Sequence, residues 1–184
     1  KTKTVKAVYD PKFASSASGY TAFKNAVAAE GCPYYQSKTG DTYSWDSALS
    51  IKCLNARSSA PEANDASIVL KIAHGSNGLL FTGDATTSDT ENNMLASYSS
   101  YLPAKFLKVG HHGSSSATST NFLNKVVPKY SFISVGAGNP YGHPAADTLS
   151  RLSAVGSYVY RTDQKGSLRI TTNGAGNYYV GTNQ

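Results

Sequence analysis

An α/β fold is predicted for this chain, and three observations predict it. Short apolar runs alternate with segments at helical spacing along most of the length. Two of the later runs, "KFLKVG" and "YSFISVG", are almost continuously apolar, as in strands of a sheet covered on both faces. Glycine, proline and serine clusters punctuate the joins at short intervals. With 184 residues the chain is expected to form a single domain, 1–184, with a real core.

Taken in order, "TVKAVYD" (4–10) reads as a strand closed by Pro11. "YTAFKNAVAAEG" (20–31) sets Phe23, Ala26, Val27 and Glu30 at helical spacing and ends on Gly31. "CPYYQSK", "TYSW" and "ALSIKCLN" follow as strands, and residues 56–66 as a loop. "SIVLKIAH" and "GLLFTGD" form a hairpin across Gly75-Ser76-Asn77-Gly78. Ser88 and Glu91 stand in capping-box register, so a helix is expected to open there. "KFLKVG" is a strand, "STNFLNKVVP" a capped helix stopped by Pro128, and "YSFISVG" another strand. "HPAADTLSRLSAVG" is a helix with Pro144 near its first turn and Gly156 past its end. "YVYR", "SLRITTNG" and "NYYVG" close the chain as strands.

Composition narrows the function less than the motifs do. Charged residues make up 15%, against a usual share of about a quarter, and Ser, Thr, Asn and 13 tyrosines supply the polarity. A net charge of +6 suits a polyanionic partner, but the cations are dispersed, with Lys1, Lys3 and Lys6 the densest group. Cys32 and Cys53 are too few for a disulfide framework; buried thiols or a single bridge remain the two readings. No run of 18 apolar residues exists to cross a membrane. The abrupt start "KTKTVKAVYD" fits a trimmed or mature product.

Three polar clusters follow the carboxyl ends of consecutive strands: Thr82-Gly83-Asp84, Gly110 to Ser114, and Gly136 to His143. Such strand ends share one edge of a covered sheet, where α/β proteins build their sites. Asp84 is a turn carboxylate or a metal ligand. His143 either shapes the helix entry at Pro144 or ligates a metal. His111 and His112 are core and surface histidines, or else ligands, proton shuttles or oxyanion contacts. The backbone amides of Gly113 and Ser114 and the hydroxyls of Ser115 and Ser116 could contact phosphate oxygens. His74, at the opposite end of its strand, reads as structural.

The stretch "NDASIVLKI…GLLFTGDA…AKFLKVGHHGSSSATSTNFLNKVVPKYSFISVGAGNPYGHPAADTLSRL…VYRTDQKGSLRITTNG" resembles the metallo-β-lactamase-like domain of ComEC-type competence proteins. The pairing of "LKVGHHGS" with "SVGAGNPYGHP" at this spacing carries the resemblance. It implies an αββα sandwich with zinc or manganese and a hydrolase acting on phosphodiester bonds of nucleic acid. It also implies metal-ligand roles for Asp84 and His143, catalytic roles for His111 and His112, and substrate contacts from Gly113, Ser114 and Ser115. Asn64 and Asp65 stand where that family usually carries a further histidine. The family's His-x-His-x-Asp-His motif is absent, so the chain reads as the C-terminal portion of such a domain, inactive by itself. That reading carries the expectation of exposed sheet edge and core, relieved by domain swapping or a completing fragment. An extracellular or cell-surface location is expected, with DNA as partner; a non-catalytic extracellular binding module is the alternative.

Overall fold

The computed structural model describes residues 4–183. In chain order the elements are β1 (Val8–Asp10), α1 (Ser18–Glu30), β2 (Tyr34–Gln36), β3 (Thr42–Tyr43), β4 (Ser50–Asn55), β5 (Val69–His74) and β6 (Asn77–Phe81). There follow α2 (Asn92–Ser97), β7 (Phe106–Lys108), α3 (Thr120–Val126), β8 (Tyr130–Ile133) and α4 (Ala146–Ala154). The chain closes with β9 (Tyr158–Arg161), α5 (Thr162–Lys165), β10 (Ser167–Thr172) and β11 (Tyr178–Asn183).

Strands β3 to β9 form one seven-stranded sheet in sequence order. Its first half is antiparallel, and β6 to β9 run parallel. Antiparallel neighbours need only tight turns, and Gly75 makes the β5–β6 turn. It has φ +55°, and a Cβ there would meet the Gly174 carbonyl oxygen, so only glycine fits. The parallel half needs crossovers, and α2, α3 and α4 supply them.

Register sorts the side chains of the parallel half into two faces. Leu80, Leu107, Ser131 and Val159 lie in one row; Leu80, Leu107 and Val159, with Val109 and Ile133, cluster with Met94, Phe122, Leu123 and Leu152 of the helices. That is the core. The opposite face carries the rows Leu79–Phe106–Tyr130–Tyr158 and Phe81–Lys108–Phe132–Tyr160. The β10–β11 hairpin covers part of this aromatic face, setting the Tyr178 ring 5.2 Å from Phe106. Buried Asn77 anchors the hairpin by donating to the Thr172 hydroxyl at 2.7 Å.

Several expectations need correction. The first strand spans 8–10, not 4–10, and pairs in parallel with β2; Lys1 and Lys3 lie outside the described residues. Helix α1 ends on Gly31 as expected (φ 68°), yet it buries only Val27. Ser88 and Glu91 form no capping box. The chain there makes a π-helical turn over Thr87–Glu91, and the Glu91 carboxylate reaches across to accept from the amides of Thr118 and Ser119. Tertiary partners outbid the local cap because two loop amides would otherwise be buried without acceptors. Ser119 does cap α3, its hydroxyl accepting from Phe122 N at 3.2 Å. Cys32 and Cys53 are free thiols, and burial pushes Cys53 up to about 11.

Candidate functional site

Strands β6, β7 and β8 end on the same sheet edge, and each passes directly into one of the three polar clusters. The loop after β6 is tied down residue by residue. The Thr82 hydroxyl donates to the Lys108 carbonyl at 2.7 Å, clipping β6 to β7. Gly83 has φ +54° and no room for a Cβ beside Ser67, and its carbonyl accepts from His111 N at 3.0 Å. The Asp84 amide donates to the Ser67 hydroxyl at 3.0 Å, which sets the carboxylate direction.

The loop after β7 is more constrained still. His111 (φ 45°) and His112 (φ 54°) are both left-handed, a conformation that costs a non-glycine residue about 1–2 kcal/mol. Two such residues in succession persist only where the surroundings over-determine them. Gly110 donates to the Thr118 hydroxyl, and a Cβ on Gly113 would stand 2.6 Å from the Pro144 Cβ. This close approach joins the second cluster to the third, and Ala145 N donates to the Gly113 carbonyl at 2.9 Å.

In the third cluster Asn139 is the organiser. Its amide donates to the carbonyls of Gly136 (3.1 Å) and His143 (2.6 Å), and its Oδ1 accepts from the amides of Tyr141 and His143. The loop is thereby closed into a rigid bracket around His143. The Asn-Pro dipeptide signals a turn in the sequence, but nothing local reveals that the side chain binds its own loop four times.

Four of the expected site residues converge. The His111 ring lies 5.8 Å from the His143 ring and 6.3 Å from the His112 ring. His112 Nε2 stands 3.5 Å from Asp84 Oδ1, while its Nδ1 is 2.7 Å from the Ser134 carbonyl. A carbonyl can only accept, so Nδ1 carries the hydrogen, and Nε2 is the ring nitrogen turned toward Asp84. Burial, then the neighbouring His111 and His112, hold His143 below the usual imidazole range, with Asp84 opposing.

Gly113 is buried beneath the site as a spacer. The two serines beside it lie differently from one another. Ser114 is buried, with its hydroxyl 3.0 Å from that of Ser116, and Ser115 is exposed with its carbonyl accepting from Arg151. Asp65, in the place of the expected histidine, is buried and accepts from the hydroxyls of Thr86 (2.6 Å) and Thr90 (2.9 Å). It braces the loop that follows Asp84.

Ring nitrogens Nδ1 of His111 and His143 are buried without a hydrogen-bond partner, as imidazoles reserved for a ligand would be. Among the described residues, however, no three His, Cys, Asp or Glu side chains are arranged to hold a metal ion. Zinc takes four donors in a closed site and three protein donors in an open one, and the described residues do not by themselves reach either number.

Comparison with known proteins bears on the family and the fold. The chain is 33% identical over 150 residues to ComE operon protein 3 of Bacillus subtilis, a match covering 78% of the chain and 18% of that protein. It is 38% identical over 107 residues to competence protein ComA of Neisseria gonorrhoeae, covering 58% of the chain and 15% of that protein. The chain thus spans less than a fifth of the length of these relatives. No protein-family model matches it. Among solved structures it superposes on the metallo-β-lactamase fold protein YhfI of Bacillus subtilis with a TM-score of 0.50 and 12% identity, over 95% of this chain and 65% of that one. The chain is a homologue of the ComEC-type competence proteins and has the metallo-β-lactamase fold.

Proposed function

We propose that this chain is the substrate-facing part of a metal-dependent hydrolase that cleaves phosphodiester bonds in nucleic acid. The observation that carries the reading is the convergence of Asp84, His111, His112 and His143 on one sheet edge, with His112 oriented by the Ser134 carbonyl toward the Asp84 carboxylate. Asp84 and His143 serve as zinc or manganese donors. His112 accepts or donates a proton at Nε2, and His111, on its strained left-handed backbone, lines the substrate side. The net charge of +6 favours a polyanion. The competence name of the Neisseria gonorrhoeae relative supports nucleic acid as the substrate class.

The test is cleavage of a labelled single-stranded DNA oligonucleotide with zinc or manganese, using the longest natural form of the protein beside the 184-residue chain. We expect metal-dependent cleavage by the longer form, loss of at least about a hundredfold with Asp84→Asn, and little or no activity from the shorter chain. Oligonucleotide binding without cleavage under every metal condition would replace the hydrolase with a binding module.

A further inference from the structure

The row that carries Leu80 and Leu107 into the core continues outward across β5, β4 and β3 as Lys71, Lys52 and Thr42. Each lysine stands two residues from a core side chain of its own strand, Lys52 from Leu54 and Lys71 from Val69. Strand alternation therefore turns both toward the helix-covered side of the sheet. A lysine turned inward on an edge strand deters pairing with other chains, but β4 and β5 are each paired on both sides. The two lysines are also direct cross-strand partners, an arrangement in which like charges repel. Local strand architecture gives no reason for the pair.

A groove of about 290 Å³ lies over them, with Thr42, Ser50, Ser100 and Tyr101 also in its lining and no carboxylate among the lining residues. The Lys52 ammonium donates to the Gly40 carbonyl at 3.1 Å and lies 5.2 Å from the centre of the Tyr101 ring. The Lys71 ammonium donates to the Pro103 carbonyl and rests over Gly78, where a Cβ would stand 2.8 Å from Nζ. An ammonium has three N–H donors, and these bonds use one apiece. Among the described residues no salt bridge reaches either lysine. Burial pushes Lys71 down to about 8, with no opposite charge to offset it. Two cations with spare donors, hydroxyls beside them and no carboxylate make the lining of an oxyanion site.

We propose that this groove binds a phosphate group, held by the ammoniums of Lys52 and Lys71 and by the hydroxyls of Thr42 and Ser50. An oxyanion between the lysines replaces their mutual repulsion with two charge-assisted hydrogen bonds. The groove is separate from the histidine cluster. None of its lining residues belongs to the three polar clusters, and it extends toward the β5–β6 turn, whereas Asp84 follows the far end of β6. The proposal therefore does not rest on the hydrolase reading. The phosphate is either a free anion or part of a nucleic-acid backbone, and one experiment distinguishes the two.

The test is a titration of the metal-free 184-residue chain with inorganic phosphate and with a short thymidine oligonucleotide lacking a terminal phosphate. Both are run at constant ionic strength and followed by the NMR resonances of the lysine Cε–Hε groups. Lys52→Gln and Lys71→Gln each remove one cation from the groove, and Lys165→Gln removes the same charge from an exposed position elsewhere. We expect saturable binding that shifts Lys52 and Lys71 together, weakened by about tenfold or more in either groove variant and unchanged in Lys165→Gln. An oligonucleotide that displaces phosphate supports the site with the nucleic-acid backbone as the source. Phosphate binding that the oligonucleotide leaves undisturbed supports the site with the free anion as the source. No saturable shift at the two lysines with either ligand, or equal weakening by all three substitutions, overturns the proposal. DNA cleavage plays no part in the readout, so the groove and the hydrolase stand or fall separately.

Discussion

Gly113 is where the histidine loop and the His143 loop touch, and replacing it with alanine tests whether that contact builds the site. At φ +84° an L-residue carries a strain of about 1 kcal/mol. The added Cβ would stand 2.6 Å from the Pro144 Cβ and 3.1 Å from its Cα. Ordinary contact is about 3.7 Å, so Pro144 must retreat by about 1 Å. The bond from Ala145 N to the Gly113 carbonyl resists that retreat. Overpacking of this kind costs about 1–3 kcal/mol. Together the two effects lower stability by about 2–4 kcal/mol, on the order of 10 °C in Tm for a domain of this size. Urea unfolding followed by far-ultraviolet circular dichroism measures the loss, and the imidazole resonances of His143 should shift in the folded variant. Gly136→Ala is the control, since that position has no positive φ and nothing within 4 Å of a new Cβ. A Gly113→Ala protein within about 0.5 kcal/mol of this control, with His143 unmoved, would refute the reasoning.

Two further outcomes follow from the surrounding framework. Glu91→Ala strips acceptors from the amides of Thr118 and Ser119 and from the Thr87 hydroxyl, so it should cost about 2–4 kcal/mol. Amide exchange at 118 and 119 should accelerate selectively, and unchanged exchange would show that the carboxylate is dispensable. Cys53 is fully buried and its thiol is pushed up from 9.0 to about 11, so the folded state holds that proton more tightly than the unfolded one. Its contribution is present below pH 9 and fades as pH rises toward 11, so stability should fall across that window and fall less in Cys53→Ala. In a thiol titration at pH 8 only Cys32 should react before unfolding; two fast thiols would contradict the burial.

How much of this was legible in the sequence depends on how far each feature reaches along the chain. The α/β order, the capped helix at Ser119 and the glycine stop at Gly31 are local, and they appear where the residues indicate. That Asp84, His111, His112 and His143 lie close together was legible because each follows a strand of the same parallel half, and parallel strands end together. The supports were not legible. Ser67, Asp65 and Glu91 act on partners 17 to 28 positions away, a distance at which local pattern carries no information. For Glu91 the local signal misled, because a capping-box spacing was present and a buried pair of amides took the carboxylate instead. Ser114 shows what local pattern leaves out: its loop folds the hydroxyl inward onto Ser116.

The central claim is that Asp84, His111, His112 and His143 act as a single ligand-binding cluster. The chain has four histidines, and the fourth is a built-in control. His74 pairs with Asn77 at the start of β6, about 15 Å or more along the strand direction from Asp84, and packs against Gly174 of the hairpin. The decisive measurement is a zinc titration of the chain followed by its imidazole carbon-bound proton resonances. The account predicts that His111, His112 and His143 shift together along one binding curve while His74 stays in place, and that Asp84→Asn weakens that curve. Four histidines responding alike, or three that respond independently of one another and of Asp84, would contradict it.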